Sequence, residues 1–187
     1  MNIRKSKIWH VLGTIYLDLG YIYLNSFVNH VPCWSIRKLL YRFAGMKIGR
    51  NARIGWKTIV VKPSKITLGE GCIVNEYCYL DGRGGLTLGN NVSISIYSKF
   101  ISASHDLQSR DFRYASELII VEDCVFVGAG AIVLENSCLK KGAVLGAGSV
   151  FKGTAEEYTI YYGNPARAQK ARNNNLQYNL KHDCYFR

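Results

Sequence analysis

The chain has 187 residues, 48% of them apolar, which bounds it to one well-formed core with at most a small appendage. Its 24 Lys and Arg against 13 Asp and Glu give a net charge of +11, which favours an acidic partner such as phosphate, an anionic membrane face or nucleic acid, or else marks a merely basic protein. The six cysteines show no C-x-x-C pair and no metal-ligand spacing, so we predict reduced thiols in a cytosolic protein and no metal site.

The first predicted element is the apolar run IWHVLGTIYLDLGYIYLNSFV, residues 8–28. It is long enough to span a bilayer, but it carries His10, Asp18, Asn25 and two glycines. Its aromatic content and basic flanks fit a helix lying on a membrane surface, and a helix packed on its own protein or a neighbouring subunit fits about as well. No small-residue cleavage site follows the run, so no cleavable signal peptide is predicted.

A six-residue rhythm follows this segment. Apolar residues fall at 48, 54 and 60, then at 68, 74 and 80, and then at 88, 94 and 100. Each triplet is spaced by six residues, and successive triplets are spaced by twenty. Three hexads plus two corner residues therefore make one unit, which describes one turn of a triangular prism.

From Val121 the rhythm is tighter and reads VEDCVF VGAGAI VLENSC LKKGAV LGAGSV. Position one is always Val or Leu, and position five is always compact. An amphipathic helix has period 3.6 and a half-buried strand has period 2, so neither explains six. The pattern predicts an all-β fold, a parallel β-solenoid of about five coils whose turns hydrogen-bond to one another. The predicted parts are a helical N-terminal segment at 1–45, the solenoid at 46–156 with a loop at 106–118, and a C-terminal segment at 157–187.

Four segments carry a family resemblance: LGNNVSISIYSKFISASHD, VFVGAGAIV, LGAGSV and YYGNPAR. Over about residues 46–170 the chain resembles the hexapeptide-repeat acyltransferases, and among them the sugar O-acetyltransferases that include the maltose, galactoside, capsule and exopolysaccharide enzymes. The resemblance implies a left-handed parallel β-helix, acetyl-CoA as co-substrate and a homotrimer with active sites between adjacent prisms.

His105 is the only histidine within the repeat, at the point where the rhythm breaks. The resemblance implies that it is the general base, which takes the proton of a sugar hydroxyl as that hydroxyl attacks a thioester. Asp106 follows directly and either orients the imidazole or caps a loop. The attack creates an oxyanion that needs a donor, and the resemblance assigns this role to backbone N–H groups at Gly128 and Ala129.

The cofactor and acceptor residues are also implied by the resemblance. Compact residues would let the pantetheine arm approach the backbone, and cations would hold the adenosine phosphates; this set is Gly128, Ala129, Ala147, Lys152, Arg167 and Lys170. The acceptor pocket is less clearly marked, and its predicted residues are Asn75, Tyr77, Asp106 and Phe126.

These observations predict an acetyl-CoA-dependent O-acetyltransferase that acts on a surface-polysaccharide or lipid-linked glycan precursor. We place it in the cytoplasm, with residues 8–28 either in contact with the inner membrane surface or packed on protein, and with no nucleic-acid partner. Two alternatives stay open: acyl transfer to the amine of an amino sugar, and a non-catalytic basic scaffold or nucleic-acid-binding solenoid. A γ-type carbonic anhydrase is disfavoured because its zinc requires three histidines.

Overall fold

A computed structural model describes residues 13–15 and 18–181. His10 and one of the six cysteines, Cys184, lie outside the described residues, as do residues 8–12 and 16–17 of the predicted apolar segment. The five cysteines within the described part are all free thiols.

The N-terminal part is helical. Residues 18–22 are α-helical, Tyr23–Phe27 form a π-helical turn and Val28–His30 a 3₁₀ turn, and helix α1 then spans Trp34–Phe43. Across residues 13–15 and 18–181, no helix combines the length and apolar character needed to cross a bilayer.

Side-chain hydrogen bonds fasten this helical part to the solenoid. The side-chain amide of Asn25 accepts a hydrogen bond from Val60 N (2.8 Å) and donates one to Val60 O (3.0 Å). It therefore pairs with the Val60 backbone as a neighbouring strand would. Trp34 Nε1 donates to Ala52 O (3.1 Å). Tyr41 of α1 is fully buried with Met46, which shows that the helix closes the first end of the solenoid.

The described residues contain twenty short strands, and eighteen of them form the three faces of a prism. One of these eighteen is an antiparallel return strand. Face A comprises Lys47–Ile48 (β1), Ile66–Leu68 (β4), Leu86–Leu88 (β7), Ile119–Val121 (β12), Cys138–Leu139 (β15) and Thr154–Ala155 (β18). Face B comprises Arg53–Ile54 (β2), Ile73–Val74 (β5), Ser93–Ile94 (β8), Phe126–Val127 (β13), Val144–Leu145 (β16), Thr159–Gly163 (β19) and Ala166–Ala171 (β20). Face C comprises Ile59–Val61 (β3), Tyr79–Asp81 (β6), Lys99–Ile101 (β9), Ile132–Leu134 (β14) and Val150–Phe151 (β17).

Three edges join these faces. The A–B edge consists of residues 49–52, 69–72, 89–92, 122–125, 140–143 and 156–158. The B–C edge consists of residues 55–58, 75–78, 95–98, 128–131 and 146–149. The C–A edge consists of residues 62–65, 82–85, 102–118, 135–137 and 152–153.

The register confirms the predicted parallel β-solenoid. Lys47 pairs with Thr67, one twenty-residue unit later, whereas Phe126 pairs with Val144, one eighteen-residue unit later. The described residues form five complete turns and two faces of a sixth. The parallel ladder continues past residue 156, since Val144 of β16 pairs with Ile160 of β19.

The interior is filled as the hexads predict. The nine triplet residues from Ile48 to Phe100 are each at most 6% exposed. Position five of the later hexads is equally buried at Val125, Ala131, Ser137 and Ala143. Equivalent hexad positions therefore stack on one another in successive turns. In each layer a large apolar side chain lies beside a compact one, which allows close packing.

The break in the rhythm is a β-hairpin. The sequence predicted a loop at 106–118, but strand Ala103–His105 (β10) pairs antiparallel with Tyr114–Ser116 (β11), so the insertion already begins at residue 102. After it, Ile119 returns to pair with Leu86 of the preceding turn. His105 thus ends a strand that projects from the C–A edge.

The C-terminal tail lies against the A–B edge. Residues 172–181 contain neither helix nor strand. Arg172 Nη1 donates to Cys124 O (2.9 Å) and Gly142 O (3.0 Å), and Leu180 N donates to Asn91 Oδ1 (3.0 Å). These bonds to backbone and corner groups hold the tail extended along the prism.

Candidate active site on two edges of the prism

His105 has a defined environment although it is exposed. Its Nδ1 lies 2.8 Å from Phe112 O, and its ring stacks on the Phe112 ring at a centroid distance of 4.3 Å and an interplanar angle of 7°. Tyr114 meets the imidazole edge-on at 5.9 Å. The hairpin therefore holds the imidazole from two sides.

The contact with Phe112 decides which nitrogen carries the proton. A backbone carbonyl only accepts hydrogen bonds, so Nδ1 must be the donor. In neutral imidazole the other nitrogen, Nε2, then carries the lone pair. His105 is thus held in the tautomer in which Nε2 can accept a proton.

Asp106 has the loop-capping role of the two predicted for it. Its Oδ1 accepts a hydrogen bond from Gln108 N (3.0 Å), and its carbonyl accepts one from Ser109 Oγ (2.8 Å). The atom that orients the imidazole is Phe112 O and not the Asp106 carboxylate. This partner could not be read from the sequence, because a backbone carbonyl is present at every residue.

A polar network lies beside His105 on the C–A edge. Ser104 Oγ donates to Glu135 Oε1 (3.1 Å), and the same oxygen forms an ion pair with Lys152. Burial acts to raise the pKa of Glu135, but the bonds from Lys152, its own backbone and Ser104 outweigh that effect and leave the pKa lowered. Lys152, predicted to bind the cofactor, thus forms an ion pair with Glu135, which also accepts a hydrogen bond from Ser104, the neighbour of His105. Glu135 had no sequence signal beyond its hexad position.

The predicted oxyanion donors lie on the B–C edge, in a turn from Gly128 to Ala131. Ala131 N donates to Gly128 O (3.1 Å), and Gly130 has φ +70°, as a type II turn requires at its third residue. The amide of Gly128 is already used, since it donates to Leu145 O (2.7 Å). Among the described residues Ala129 N–H donates no hydrogen bond, and Ala129 is exposed. The geometry thus removes Gly128 as a donor and leaves Ala129.

The same edge carries the predicted cradle for a cofactor. A Cβ added to Gly128 would lie 2.5 Å from Ala147 N, whereas one added to Gly130 or Gly148 would have nothing within 4 Å. The turns at 128–131 and 146–149 therefore present bare backbone to open space. Arg167 is exposed on β20, beside Tyr162 at the B–C end of face B.

Large side chains occupy the earlier turns of the B–C edge. Tyr77 stacks on Tyr97 at 5.1 Å, and Lys57 Nζ lies 5.5 Å from the Tyr77 ring centroid. Asn75, the other predicted acceptor residue, begins the same corner and uses its backbone in the ladder through a bond from Asn75 N to Ile94 O (2.9 Å). The earlier turns of the B–C edge thus carry aromatic side chains, whereas the later turns carry small residues.

Two predicted residues lie on face B itself. Phe126 is 38% exposed on β13, two residues before Gly128. Lys170 pairs with Ile160, towards the A–B end of the face, whereas Arg167 pairs with Tyr162 towards the B–C end. The predicted basic pair is therefore spread along one strand.

A single chain does not bring all these groups together. His105 and Lys152 belong to the C–A edge, whereas Ala129 and Ala147 belong to the B–C edge. Strand β14 alone separates the edges by about 10 Å, at roughly 3.3 Å per residue. Proton transfer requires contact at roughly 3 Å. The described chain thus holds two half-sites.

A separate cleft lies away from both half-sites. A cleft of about 340 Å³ lies on the A–B edge, where Asn51, Gly71 and Asn91 face the tail residues Asn179 and Leu180, and it includes none of the predicted site residues. Over the described residues, no cluster of His, Cys, Asp and Glu is suited to a metal ion.

Comparison with known proteins gives three informative similarities, although no protein-family model matches the chain. The dTDP-4-amino-4,6-dideoxy-D-glucose acyltransferase of Escherichia coli is 24% identical over 160 residues, which cover 69% of this chain and 83% of that relative. The galactoside O-acetyltransferase of Lactococcus lactis is 27% identical over 109 residues, 56% of this chain, and the chain spans about half of that relative (52%). A hexapeptide-repeat acetyltransferase of Vibrio cholerae, solved with acetyl-CoA, superposes with a TM-score of 0.78 at 22% identity, covering 85% of this chain and 88% of the other.

Proposed function

We propose that the chain, which is similar to hexapeptide-repeat acetyltransferases, is one of them and transfers an acetyl group from acetyl-CoA to a sugar hydroxyl, with His105 as the general base. The proposed acceptor is a surface-polysaccharide or lipid-linked glycan precursor. Acetyl-CoA supplies an activated acyl group as a thioester, and the residues described above supply the proton transfer and the positioning.

The observation that carries this proposal is the bond between His105 Nδ1 and Phe112 O. Because Nδ1 is committed as a donor, Nε2 is the nitrogen that can remove a hydroxyl proton. The Phe112 ring keeps the imidazole plane fixed, so the base is oriented before substrate arrives. A positioned base of this kind contributes roughly 10²–10⁴-fold to the rate.

The B–C edge supplies the complementary functions. Ala129 N–H can donate to the carbonyl oxygen where negative charge develops, which lowers the barrier because the donor is already in place. The bare turns at 128–131 and 146–149 fit a narrow chain such as pantetheine, and Arg167 supplies a cation at the far end for phosphates. Both half-sites combine if the C–A edge of one protomer faces the B–C edge of another.

An amino-sugar amine is the second candidate acceptor, and the Escherichia coli relative favours it because its name specifies an amino sugar. The two products differ chemically: an O-acetyl ester is cleaved by hydroxylamine, whereas an N-acetyl amide resists it.

The test is an acceptor screen with acetyl-CoA. The panel contains neutral mono- and oligosaccharides, dTDP-linked amino sugars and a lipid-phosphate-linked sugar, and mass spectrometry reads CoA and acetylated product before and after hydroxylamine. With the wild-type acceptor in hand, His105→Ala is expected to lose 10²-fold or more in kcat, roughly the contribution of a general base. The matched control is His30→Ala, which removes an exposed histidine outside the prism and is expected to leave kcat unchanged.

Equal rates for wild type and His105→Ala would exclude His105 as the base. A hydroxylamine-resistant product would replace the hydroxyl acceptor with an amine. Absence of acetyl-CoA binding would exclude acyl transfer from that donor.

A further inference from the structure

The net positive charge of this chain arises at one end. Residues 1–69 contain twelve Lys and Arg but only one acidic residue, Asp18, so this segment alone carries the whole net charge of +11. Residues 70–187 contain twelve basic and twelve acidic residues. In the fold, the described part of the basic segment is the helical cap and the first turn of the prism. One end of the molecule is therefore strongly cationic, and the rest is neutral.

The same end exposes an apolar ridge. On helix α1 the side chains of Ile36, Leu39 and Phe43 are 50%, 54% and 80% exposed. Their i, i+3, i+7 spacing puts them on one helix face. The preceding helical residues add Leu19 and Phe27, which are 60% and 64% exposed. We name these five side chains the apolar ridge.

Helix α1 is apolar on its outward face as well as on its inward one. Its inward face packs Leu40 and Tyr41 on the core beside the buried Arg37, whereas Ile36, Leu39 and Phe43 are exposed. Lys38 Nζ donates to Gly49 O (2.8 Å), and Arg42 Nη2 donates to Ile48 O, so both cations reach back to the solenoid. These bonds hold the helix with its apolar face outward, although burying that face against the prism would remove it from water.

We propose that this end docks on an anionic phospholipid bilayer, with the apolar ridge entering the headgroup boundary and basic residues contacting the lipid phosphates. Lys47 and Lys62 are exposed on the first turn and form no ion pair within the described residues. Arg4, Lys5 and Lys7 add cations to the same segment in sequence. Apolar insertion and attraction to anionic lipid are the two terms that bind an interfacial helix.

The charge and apolar surface of this end favour an anionic bilayer over a second copy of the chain or nucleic acid. A second copy docked through this same end would bring two cationic surfaces together, which costs electrostatic free energy. A second copy docked through its neutral part would offer no excess of anionic groups to these cations. Nucleic acid would satisfy the cations but would leave Ile36, Leu39 and Phe43 against phosphates and water. A bilayer with anionic headgroups satisfies both features at once.

The test is flotation of the full chain with two kinds of vesicle. One is phosphatidylcholine mixed with phosphatidylglycerol, and the other is phosphatidylcholine alone. The expected result is binding to the anionic vesicles, weakened by added salt, and little binding to the neutral ones. This comparison uses the wild-type chain, so no variant has to fold for it.

Variants with matched controls then test which side chains contact the vesicle. Phe43→Ser is expected to weaken vesicle partition roughly tenfold, since the buried part of a Phe side chain is lost. Ile120→Ser, an exposed apolar position on face A, is the control and should bind like wild type. The double variant Lys47→Gln/Lys62→Gln should lose roughly tenfold or more, whereas Lys99→Gln/Lys141→Gln, two exposed cations of the neutral part, should not.

The proposal fails if vesicle binding is absent or independent of lipid charge, or if each variant behaves like its control. It also fails if Phe43→Ser alters only the oligomeric state, which would show that a second copy covers the ridge. DNA retention without vesicle binding would assign the cations to nucleic acid. Acetyl transfer is not part of these readouts, so the outcome is independent of the proposed function.

Discussion

At the scale of single residues, backbone atoms determine what His105 and Ala129 can do. Phe112 O selects the imidazole tautomer, and in the turn closed by Ala131 N the Ala129 N–H donates no hydrogen bond within the described residues. The Gly128 N–H, in contrast, already donates a hydrogen bond to Leu145 O of the next turn and is not free to bind a ligand. Residue type alone suggested both glycine and alanine as donors, and hydrogen bonding separates them.

Glu135 allows a prediction on acid stability. Its pKa is lowered in the folded state, so its contribution to stability is present above the unfolded pKa, near 4.3, and is lost as pH falls through the folded value. Glu135→Gln is expected to be less stable than wild type at neutral pH, and the gap should close below about pH 4. Urea unfolding over that pH range measures it.

The control for this prediction is Glu157→Gln, an exposed carboxylate without an ion pair in the described residues. It should track wild type at every pH. A Glu135→Gln deficit that stays constant down to the most acidic samples would contradict the ion-pair account.

At the scale of elements, α1 is held by polar contacts and contains a buried cation. Arg37 is fully buried, and none of its guanidinium nitrogens has a hydrogen-bond partner among the described residues. Burial lowers the pKa of Arg37, with the nearby Arg53 acting in the same direction and Tyr41 and Glu76 opposing it. Trp34 contributes a cation–π contact at 5.5 Å. A charge desolvated in this way costs more than such a contact returns.

We therefore expect Arg37→Met to leave the free energy of unfolding unchanged or to raise it by about 1–4 kcal/mol, because the volume is kept and the charge is removed. Arg37→Ala removes the same charge but leaves a cavity, and should destabilise by about 2–5 kcal/mol, as other large-to-Ala changes do. Chemical denaturation measures both variants. If Arg37→Met is as unstable as Arg37→Ala, the guanidinium has a stabilising partner.

At the scale of the whole molecule, the three edges have different roles. The tail covers part of the A–B edge, the hairpin with His105 projects from the C–A edge, and the bare turns lie on the B–C edge. Because the last two are separated by face C, the proposed activity requires two chains. This separation is a property of the prism, since consecutive corners cannot approach within one turn.

Mixed oligomers test this requirement. Ala129→Pro removes the amide N–H at a turn position where proline is favoured, and His105→Ala removes the base. Each variant alone is expected to be inactive, whereas co-expressed chains should recover about a quarter of wild-type activity if each site of a trimer joins two protomers at random. Co-expression of His105→Ala with wild type gives the reference activity for a mixed oligomer. No recovery in the mixture would place both groups in one chain.

The sequence by itself determined the prism. A six-residue period with a large apolar residue at position one and a compact one at position five is a local steric requirement, so Ile48, Ile54, Val60 and their successors are buried as predicted. It also located the break at His105. It did not reveal the strands around that residue, since the pairing of Ala103 with Ser116 depends on the chain reversing direction.

Only the tertiary structure decided what the predicted residues do together. It assigned Phe112 O to the imidazole, Glu135 to Lys152 and the A–B edge to the tail, and it separated His105 from Ala129. These outcomes depend on backbone carbonyls and on how many residues fill each corner, and neither is encoded in residue type. The period of a solenoid is local to the chain, whereas the meeting of its edges is set by the stacking of whole turns.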